Sequence, residues 1–263
     1  KDKELLIFPI LSTLACLLVL VSFAVPIIAT DAWRPPEGEG ATATDQVLYY
    51  GVLFLFYFCN YFVITFFNSA IVGSAITRMG GGEPTFGDAL GTAFARLPQI
   101  LGWALLAATV GLVLRIIEDR SKRVGQIVAG LLGMAWTVVT FMVVPVIVVE
   151  KCGPFSALKR STVLLKKTWG EQLIGGFSFG IIFFLLGLPG IALIVLGGVL
   201  LAQAGPLPGA LCIGAGLLYM IVMWLVQTTL ETIFKAAVYV YAAKGESPAG
   251  FSESMLSSAM NTK

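Results

Sequence analysis

The sequence predicts an all-α protein, a polytopic transmembrane helical bundle of about six spans. Of its 263 residues, 57% are apolar and only 12% are charged, whereas soluble domains carry about a quarter charged residues. Long runs of nearly uncharged residues recur along the chain, and about 18 such residues in a row are typical of a transmembrane helix. These runs do not alternate between apolar and polar residues, as membrane β-strands do.

The first two spans flank a loop rich in proline, glycine and acidic residues. The first span covers about 5–29. Its start resembles a signal peptide, but its apolar stretch of about 25 residues is longer than the apolar region of a typical signal peptide. The second span covers about 47–78, which as a helix is about 48 Å long. Because a hydrocarbon core is about 30 Å thick, this span tilts or projects from the bilayer.

Four further spans complete a single transmembrane domain, 1–263. We place them at about 98–117, 124–149, 171–204 and 209–243. The fifth span is expected to break near Pro189, because proline removes a helix hydrogen bond. After this break, residues 191–204 either continue beyond a kink or form a short re-entrant piece.

Lysine and arginine predict the orientation in the cell membrane. Eleven of them fall on the side that holds both termini and five on the other side. The positive-inside rule therefore places both termini in the cytoplasm. The basic segment RSKR at 120–123 falls on the outer side and opposes this assignment.

Three segments with similar sequences indicate an internal repeat. Each starts at a phenylalanine, ends at a basic residue and is followed by a turn with glycine and proline. They are FNSAIVGSAITR (67–78), FMVVPVIVVEK (141–151) and FKAAVYVYAAK (234–244). Because each unit holds two spans, the copies have one orientation and form three parallel repeats. The alternative is that phenylalanine, glycine and proline recur by chance in an apolar chain.

A short amphipathic segment follows each repeated motif. These segments, about 85–97, 154–168 and 250–260, have apolar residues at helical spacing and are too short to cross a bilayer. We interpret them as cytoplasmic interfacial helices with the apolar side toward the bilayer and basic residues toward lipid headgroups. The expected interfacial lipid contacts are Lys159, Arg160, Lys166, Lys167 and Trp169.

Polar residues recur at matching heights in the second and sixth spans. Superposition of the repeats aligns Asn60 with Gln227, Ile64 with Glu231, and Asn68 with Lys235. This predicts an intramembrane polar layer of Asn60, Asn68, Gln227, Glu231 and Lys235. Each ion at the centre of a span costs about 2.5–3.5 kcal/mol. Glu231 and Lys235 are four residues apart and can pair, with added hydrogen bonds from Asn68, Thr228 or Thr232. The pair then joins helices structurally; alternatively Lys235 extends to the headgroups, or the pair serves transport or a proton relay.

The sequence argues against several classes of site. It contains no histidine, and its four cysteines are far apart without a CxxC pair, so we expect no metal, no cofactor and no disulfide framework. Motifs of hydrolases, metalloproteases and nucleotide-binding enzymes are absent, and we expect no enzyme activity. A net charge of +2 without a basic stripe argues against nucleic acid.

Two stretches carry a resemblance to a known family. AAVYVYAAKGESPAGF and VVPVIVVEKCGPFSALKRSTVLLKKTWGEQLIGG resemble a family of prokaryotic multi-spanning membrane proteins of unknown function. The tail matches its pattern A-x-Y-x-Y-A-x-x-G-x-x-P-x-G-F with Ala237, Tyr239, Tyr241, Ala242, Gly245, Pro248, Gly250 and Phe251. The layout also looks like membrane domains joined to glycerophosphodiesterases. The resemblance implies six spans and transfers no catalytic residue.

The leading functional hypothesis is a non-enzymatic scaffold or accessory subunit that organises membrane lipids or a partner, either another protein or a second copy of the chain. It is based on basic interfacial helices on one leaflet. The alternative is a transporter or channel for a small or lipid-like solute through the polar layer, which an interrupted fifth span favours slightly.

Overall fold

The computed structural model describes residues 7–29, 42–120, 124–167, 169–203 and 205–245, and gives only the backbone for 27, 29, 120, 167, 169–179 and 244. This part of the chain is helical and contains no strand. Its helices are α1 (Ile7–Ala29), α2 (Ala43–Met79), α3 (Phe86–Ala95), α4 (Leu97–Arg120), α5 (Val124–Val139), α6 (Val143–Glu150), α7 (Pro154–Lys167), α8 (Trp169–Gln203) and α9 (Pro206–Lys244).

The predicted all-helical class and number of spans are confirmed. Six stretches are long and apolar enough to cross a membrane: Ile7–Pro26, Ala43–Met79, Leu97–Asp119, Val124–Glu150, Gly180–Gln203 and Pro206–Ala243. These correspond in order to the six predicted spans, so the fold is consistent with a multi-pass membrane protein. Helices α2 and α9 start several residues before the predicted boundaries.

Two helices start at capping boxes, in which a threonine and an aspartate satisfy each other's backbone groups. At α2, the Asp45 N–H donates to the Thr42 hydroxyl and the Thr42 N–H donates to Asp45 Oδ2, at 3.3 and 2.9 Å. Thr85 and Asp88 repeat this arrangement at α3. The paired groups compensate for the absence of helical partners in the first turn.

The fourth span is interrupted, which we did not predict. Helix α5 ends at Val139, a turn covers 140–142, and α6 starts at Val143. The cause is Pro145, because its ring conflicts with the carbonyl four residues before it and it has no N–H to donate. Ser161 of α7 stabilises the turn: its hydroxyl accepts from the Met142 N–H at 3.2 Å and donates to the Val139 carbonyl at 2.7 Å.

Of the two alternatives for the fifth span, the structure has the continuing helix and not a separate re-entrant piece. Helix α8 passes through Pro189 without interruption, and residues 191–203 belong to the same helix. The Tyr219 hydroxyl of α9 donates to the Leu186 carbonyl at 2.7 Å, close to the hydrogen bond that the proline removes. Hydrogen bonds from neighbouring helices let membrane helices tolerate proline in this way.

Helices α8 and α9 form a closely packed antiparallel hairpin. Gly190 and Gly197 of α8 face Gly216 and Gly209 of α9, at a spacing of seven residues on each helix. A methyl group at Gly197 would lie 2.8 Å from the Ile213 nitrogen and 2.9 Å from the Gly209 carbonyl oxygen. Small residues therefore allow backbone contact.

The best-buried part of the molecule lies at one end, which we call the base. It consists of 65–79 of α2, α3, α6, α7 and 231–244 of α9. Its core contains Ile71, Met142, Ile147, Leu164 and Val238, each at most 1% exposed. Away from the base, large apolar side chains of α1, α5, α8 and α9 are mostly exposed.

The apolar sides of α3 and α7 face other helices. Ala89 and Ala93 of α3 pack with Phe8, Ala70 and Ile71. On α7, Ala157 and Leu164 pack in the core with residues of α4, α6 and α9. The protein itself therefore covers these apolar residues, and the location of both helices at the bilayer surface stays a prediction. The third expected interfacial helix, 250–260, lies outside the described residues.

Candidate functional site

The charged pair of α9 forms as the sequence spacing suggests. Lys235 Nζ lies 2.9 Å from Glu231 Oε1, and the two side chains are 30% and 42% exposed. The ammonium group also lies 5.2 Å from the ring centre of Phe141, in the turn between α5 and α6. The pair is therefore partly covered by the interrupted span and is accessible on its other side.

The other members of the predicted polar layer do not bond to this pair. Asn60 donates to the Phe56 carbonyl in its own helix. The hydroxyls of Thr228 and Thr232 donate to the carbonyls of Trp224 and Thr228 in α9. Within the described residues, no hydrogen bond joins Asn60, Asn68 or Gln227 to Glu231 or Lys235. The expected hydrogen bonds are absent because each hydroxyl finds a carbonyl one turn away.

A second polar cluster lies in the base, and sequence analysis missed it. Glu150 Oε1 accepts from Arg160 Nε at 2.8 Å and from the Tyr239 hydroxyl at 3.1 Å. Tyr239 is 3% exposed. This carboxylate thus joins α6, α7 and α9. The residues are 10 and 89 positions apart in sequence, so spacing alone could not indicate the contact.

The end of α6 is capped by backbone and side-chain groups. Lys151 has a left-handed conformation, with φ 56°, and its N–H donates to the Ile147 carbonyl. Arg96, between α3 and α4, donates from Nε to the Val148 carbonyl at 3.0 Å. A guanidinium near the last carbonyls of a helix also interacts favourably with the helix dipole.

The predicted lipid-contact residues separate into two groups. Lys159 and Lys166 lie on the exposed side of α7, together with Phe155 and Val163, which are 72% and 42% exposed. Arg160 instead turns toward Glu150 and is engaged there. The side chains of Lys167 and Trp169 lie outside the described part of the structure.

The ion pair in the base affects neighbouring titratable groups. The hydrogen bond to Glu150 raises the pKa of Arg160, which keeps this side chain charged. Burial, followed by the charge of Glu150, raises the pKa of the Cys152 thiol. A raised pKa leaves less thiolate, the reactive form. Cys152 therefore has the properties of a packing residue and not of a nucleophile.

An open apolar groove of about 510 Å³ lies near the start of α2, far along that helix from the base. Its lining residues are Ala43, Gln46, Val47, Tyr50, Gly51, Phe54 and Leu112. It contains no charged side chain. In the described part of the chain, no group of three His, Cys, Asp or Glu side chains is placed to hold a metal ion.

The comparison with family models assigns the chain. The model described as Family of unknown function (DUF6159) matches residues 47–251. The chain belongs to this family. The DUF6159 match includes the interrupted span, the Glu150 cluster and the α8–α9 hairpin. No curated protein and no solved structure matches the chain, and the expected likeness to membrane domains joined to glycerophosphodiesterases has no support.

The structure gives physical reasons for part of the tail pattern noted above. Its first tyrosine is Tyr239, which bonds to Glu150. Ala237 is fully buried in the base, where a larger side chain has no space. Gly245 has φ 72° and ends α9 with its N–H on the Tyr241 carbonyl, a conformation that favours glycine. Residues 246–251 of the pattern lie outside the described residues.

Proposed function

We propose that this DUF6159 member is a non-enzymatic membrane scaffold or accessory subunit that organises anionic lipids beside a partner. The observation that carries the proposal is the exposed side of α7. Phe155, Lys159, Val163 and Lys166 are spaced three or four residues apart and share this side. Aromatic and aliphatic side chains between lysines favour contact with an anionic headgroup layer.

The pairing of charges in the base supports a structural role for them. Arg160 and Tyr239 both bond to Glu150, so among the described side chains of α7 the lysines on the exposed side are Lys159 and Lys166. Basic residues near a leaflet surface contribute about 1 kcal/mol each to binding anionic lipids. Two lysines with two apolar neighbours therefore support lipid enrichment around the protein, and not tight binding of one lipid.

The three-repeat arrangement is part of the same proposal. Two of the repeated motifs lie in α2 and α9 and the third ends in α6. Val72, Ala75, Val148 and Ala236, from these three segments, form one buried cluster. The short helix α3 follows the motif at 67–78, and the short helix α7 follows the motif at 141–151. Packing of equivalent segments around a common centre is what parallel repeats predict. Both short helices are proposed to lie on the cytoplasmic leaflet.

The test is lipid enrichment in native membranes. The wild-type protein and the K159E/K166E variant are extracted in polymer discs, and the co-purified lipids are quantified by mass spectrometry. We expect anionic lipids to be enriched over the bulk membrane around the wild type and depleted around the variant. K159R/K166R is the matched control and should behave like the wild type. Equal lipid composition around all three proteins would contradict the proposal.

One observation favours the alternative, a transporter or channel for a small or lipid-like solute. The interrupted fourth span places Phe141 against Lys235, and interrupted helices often line transport sites. Reconstituted protein in liposomes distinguishes the two functions by release of trapped ions and by lipid movement between leaflets. Flux that is lost in E231L/K235L, with the fold retained, would favour transport over the scaffold.

A further inference from the structure

Exposed apolar side chains stop abruptly on the two longest helices. On α2, the last exposed large apolar residue is Ile64, at 42%. On α9, it is Leu230, also at 42%. Beyond these positions both helices enter the base, where Ser69–Ala75 and Ala236–Val240 are buried. Only the part of α2 up to Ile64 and the part of α9 up to Leu230 therefore have exposed apolar side chains suited to contact with lipid.

The lengths of the helices agree with this division. The 37 residues of α2 and the 39 of α9 correspond to about 55 and 58 Å, far more than a hydrocarbon core of about 30 Å. From their starts to Ile64 and Leu230, α2 and α9 measure about 33 and 37 Å. The remaining ends project by about 22 and 21 Å. The ends of α2 beyond Ile64 and of α9 beyond Leu230 are therefore nearly equal in length, although their sequences differ.

Helices α1 and α5 fit the same boundary. Phe8, in the first turn of α1, stacks on Phe86 of α3 with ring centres 4.9 Å apart, so α1 starts beside the base. Helix α5 ends at Val139, where Ser161 of the base holds the turn. Trp103 and Trp136 stack at 5.7 Å near this level, and tryptophan is enriched at membrane surfaces.

The base itself is packed like a water-soluble helical domain. Its core is closed, and among its described side chains only Phe94, Val149, Phe155 and Val163 are large, apolar and exposed. The apolar sequence of α6 and of residues 236–240 is therefore explained by burial in protein. These segments do not need lipid, although composition alone assigns them to spans.

We propose that the base stands outside the hydrocarbon and that the bilayer surface crosses α2 near Ile64 and α9 near Leu230. The Glu231–Lys235 pair then lies in the headgroup layer, where charges are solvated. The position of this surface does not depend on the scaffold function, and a failure of either proposal leaves the other intact.

The test compares depths along each long helix by nitroxide labels in nanodiscs. Labels replace Ile64 and Leu230, and matched labels on the same helices replace Leu55 and Leu218, which are 50% and 64% exposed. Collision rates with oxygen and with a water-soluble nickel chelate give the depth of each label. If the whole of α2 and α9 crossed the bilayer, Ile64 and Leu230 would be nearer its centre than Leu55 and Leu218. We expect the reverse order on both helices.

The order of depths decides the proposal. Labels at Ile64 and Leu230 that are deeper than their partners would overturn it. A second measurement uses the unaltered protein, in case cysteine replacement impairs folding. A water-soluble acylating reagent is applied to nanodiscs, and modified lysines are quantified by mass spectrometry. We expect Lys235 to react more slowly than the exposed Lys159 but measurably; complete protection of Lys235 while Lys159 reacts fully would contradict the proposal.

Discussion

Ser161 connects two polar backbone groups that the interruption of the fourth span leaves without helical partners. The side chain is fully buried, as is Met142, to whose N–H it bonds. An unsatisfied buried polar group costs about 1–3 kcal/mol. This serine is therefore a main contributor to the stability of the turn.

We predict that S161A lowers the free energy of unfolding by about 2–3 kcal/mol. The change leaves the Met142 N–H and the Val139 carbonyl without this hydroxyl. Denaturant titration in detergent micelles measures the effect. The adjacent T162A is the control, because Thr162 bonds only to the Leu158 carbonyl of its own helix. Equal effects of the two changes would show that Ser161 has no special role.

A second prediction concerns the effect of removing the Tyr239 hydroxyl on stability. Y239F removes the bond to Glu150 and should destabilise the protein by about 1–2 kcal/mol, since hydrogen bonds to charged groups are stronger than neutral ones. In an E150Q background the effect of Y239F should be smaller, because the accepting charge is gone. A double-mutant cycle measures this coupling, and additive effects would contradict it.

The capping box of α3 predicts that the stability of this helix depends on pH. The Thr85 hydroxyl, followed by the Thr85 backbone N–H, lowers the pKa of Asp88. The resulting stabilisation of α3 is present above the unfolded-state pKa of about 3.9 and is lost as pH falls through the lower folded-state value. We expect T85A to raise the pKa of Asp88 toward its ordinary value. Carbon-13 NMR titration of the carboxyl group measures this, and an unchanged pKa would refute the cause given.

The Glu231–Lys235 contact was predictable because spacing within one helix fixes which side chains meet. Bonds between residues on different helices, such as Tyr239 with Glu150, depend on how α6 and α9 pack. Their sequence separation contains no information about that packing. The predicted bonds from Thr228 and Thr232 failed for a related reason, since carbonyls of their own helix accept from the same hydroxyls.

At the scale of helices, two prolines had opposite outcomes. Pro145 interrupts the fourth span and Pro189 leaves α8 continuous. The difference lies in the surroundings: Ser161 supports a turn near Pro145, whereas Tyr219 supports a helix near Pro189. We expected a break only at Pro189, although Pro145 removes a helix hydrogen bond in the same way.

The glycine contact of the α8–α9 hairpin can be tested with adjacent residues. G197A should destabilise the hairpin by about 1–3 kcal/mol, because the added methyl group would meet the backbone of α9. G198A should be neutral or stabilising, because its position is open and alanine favours a helix over glycine. Thermal unfolding in micelles compares the two variants. A G197A protein as stable as G198A would mean that the helices do not touch there.

For the whole molecule, hydropathy located all six candidate spans. It did not indicate at which residues of each helix the bilayer surface lies. Burial in the base and burial in lipid both select apolar residues, so segments such as VVPVIVVE have the same composition in either place. Only the packing of α6 against α7 and α9 separates the two. On our proposal for the position of the bilayer surface, the predicted spans in α2 and α9 extend too far into the base for this reason.

Orientation also concerns the whole molecule and remains a prediction. From the distribution of lysine and arginine we expect both termini in the cytoplasm. Fluorescent-protein fusions at either end should fluoresce, and an alkaline phosphatase inserted in the loop at 30–41 should be active. The same phosphatase at the C-terminus serves as the control and should be inactive. Activity there would reverse the assigned orientation.

The α8–α9 hairpin has a mechanical consequence for the protein. Its outer half packs chiefly within itself, while its inner end is held by the base through α7 and the last turns of α9. The hairpin is thus attached to the rest of the protein mainly at its inner end. If the bilayer surface lies where we propose, we expect a thinner bilayer to change the tilt of the hairpin more readily than its internal packing.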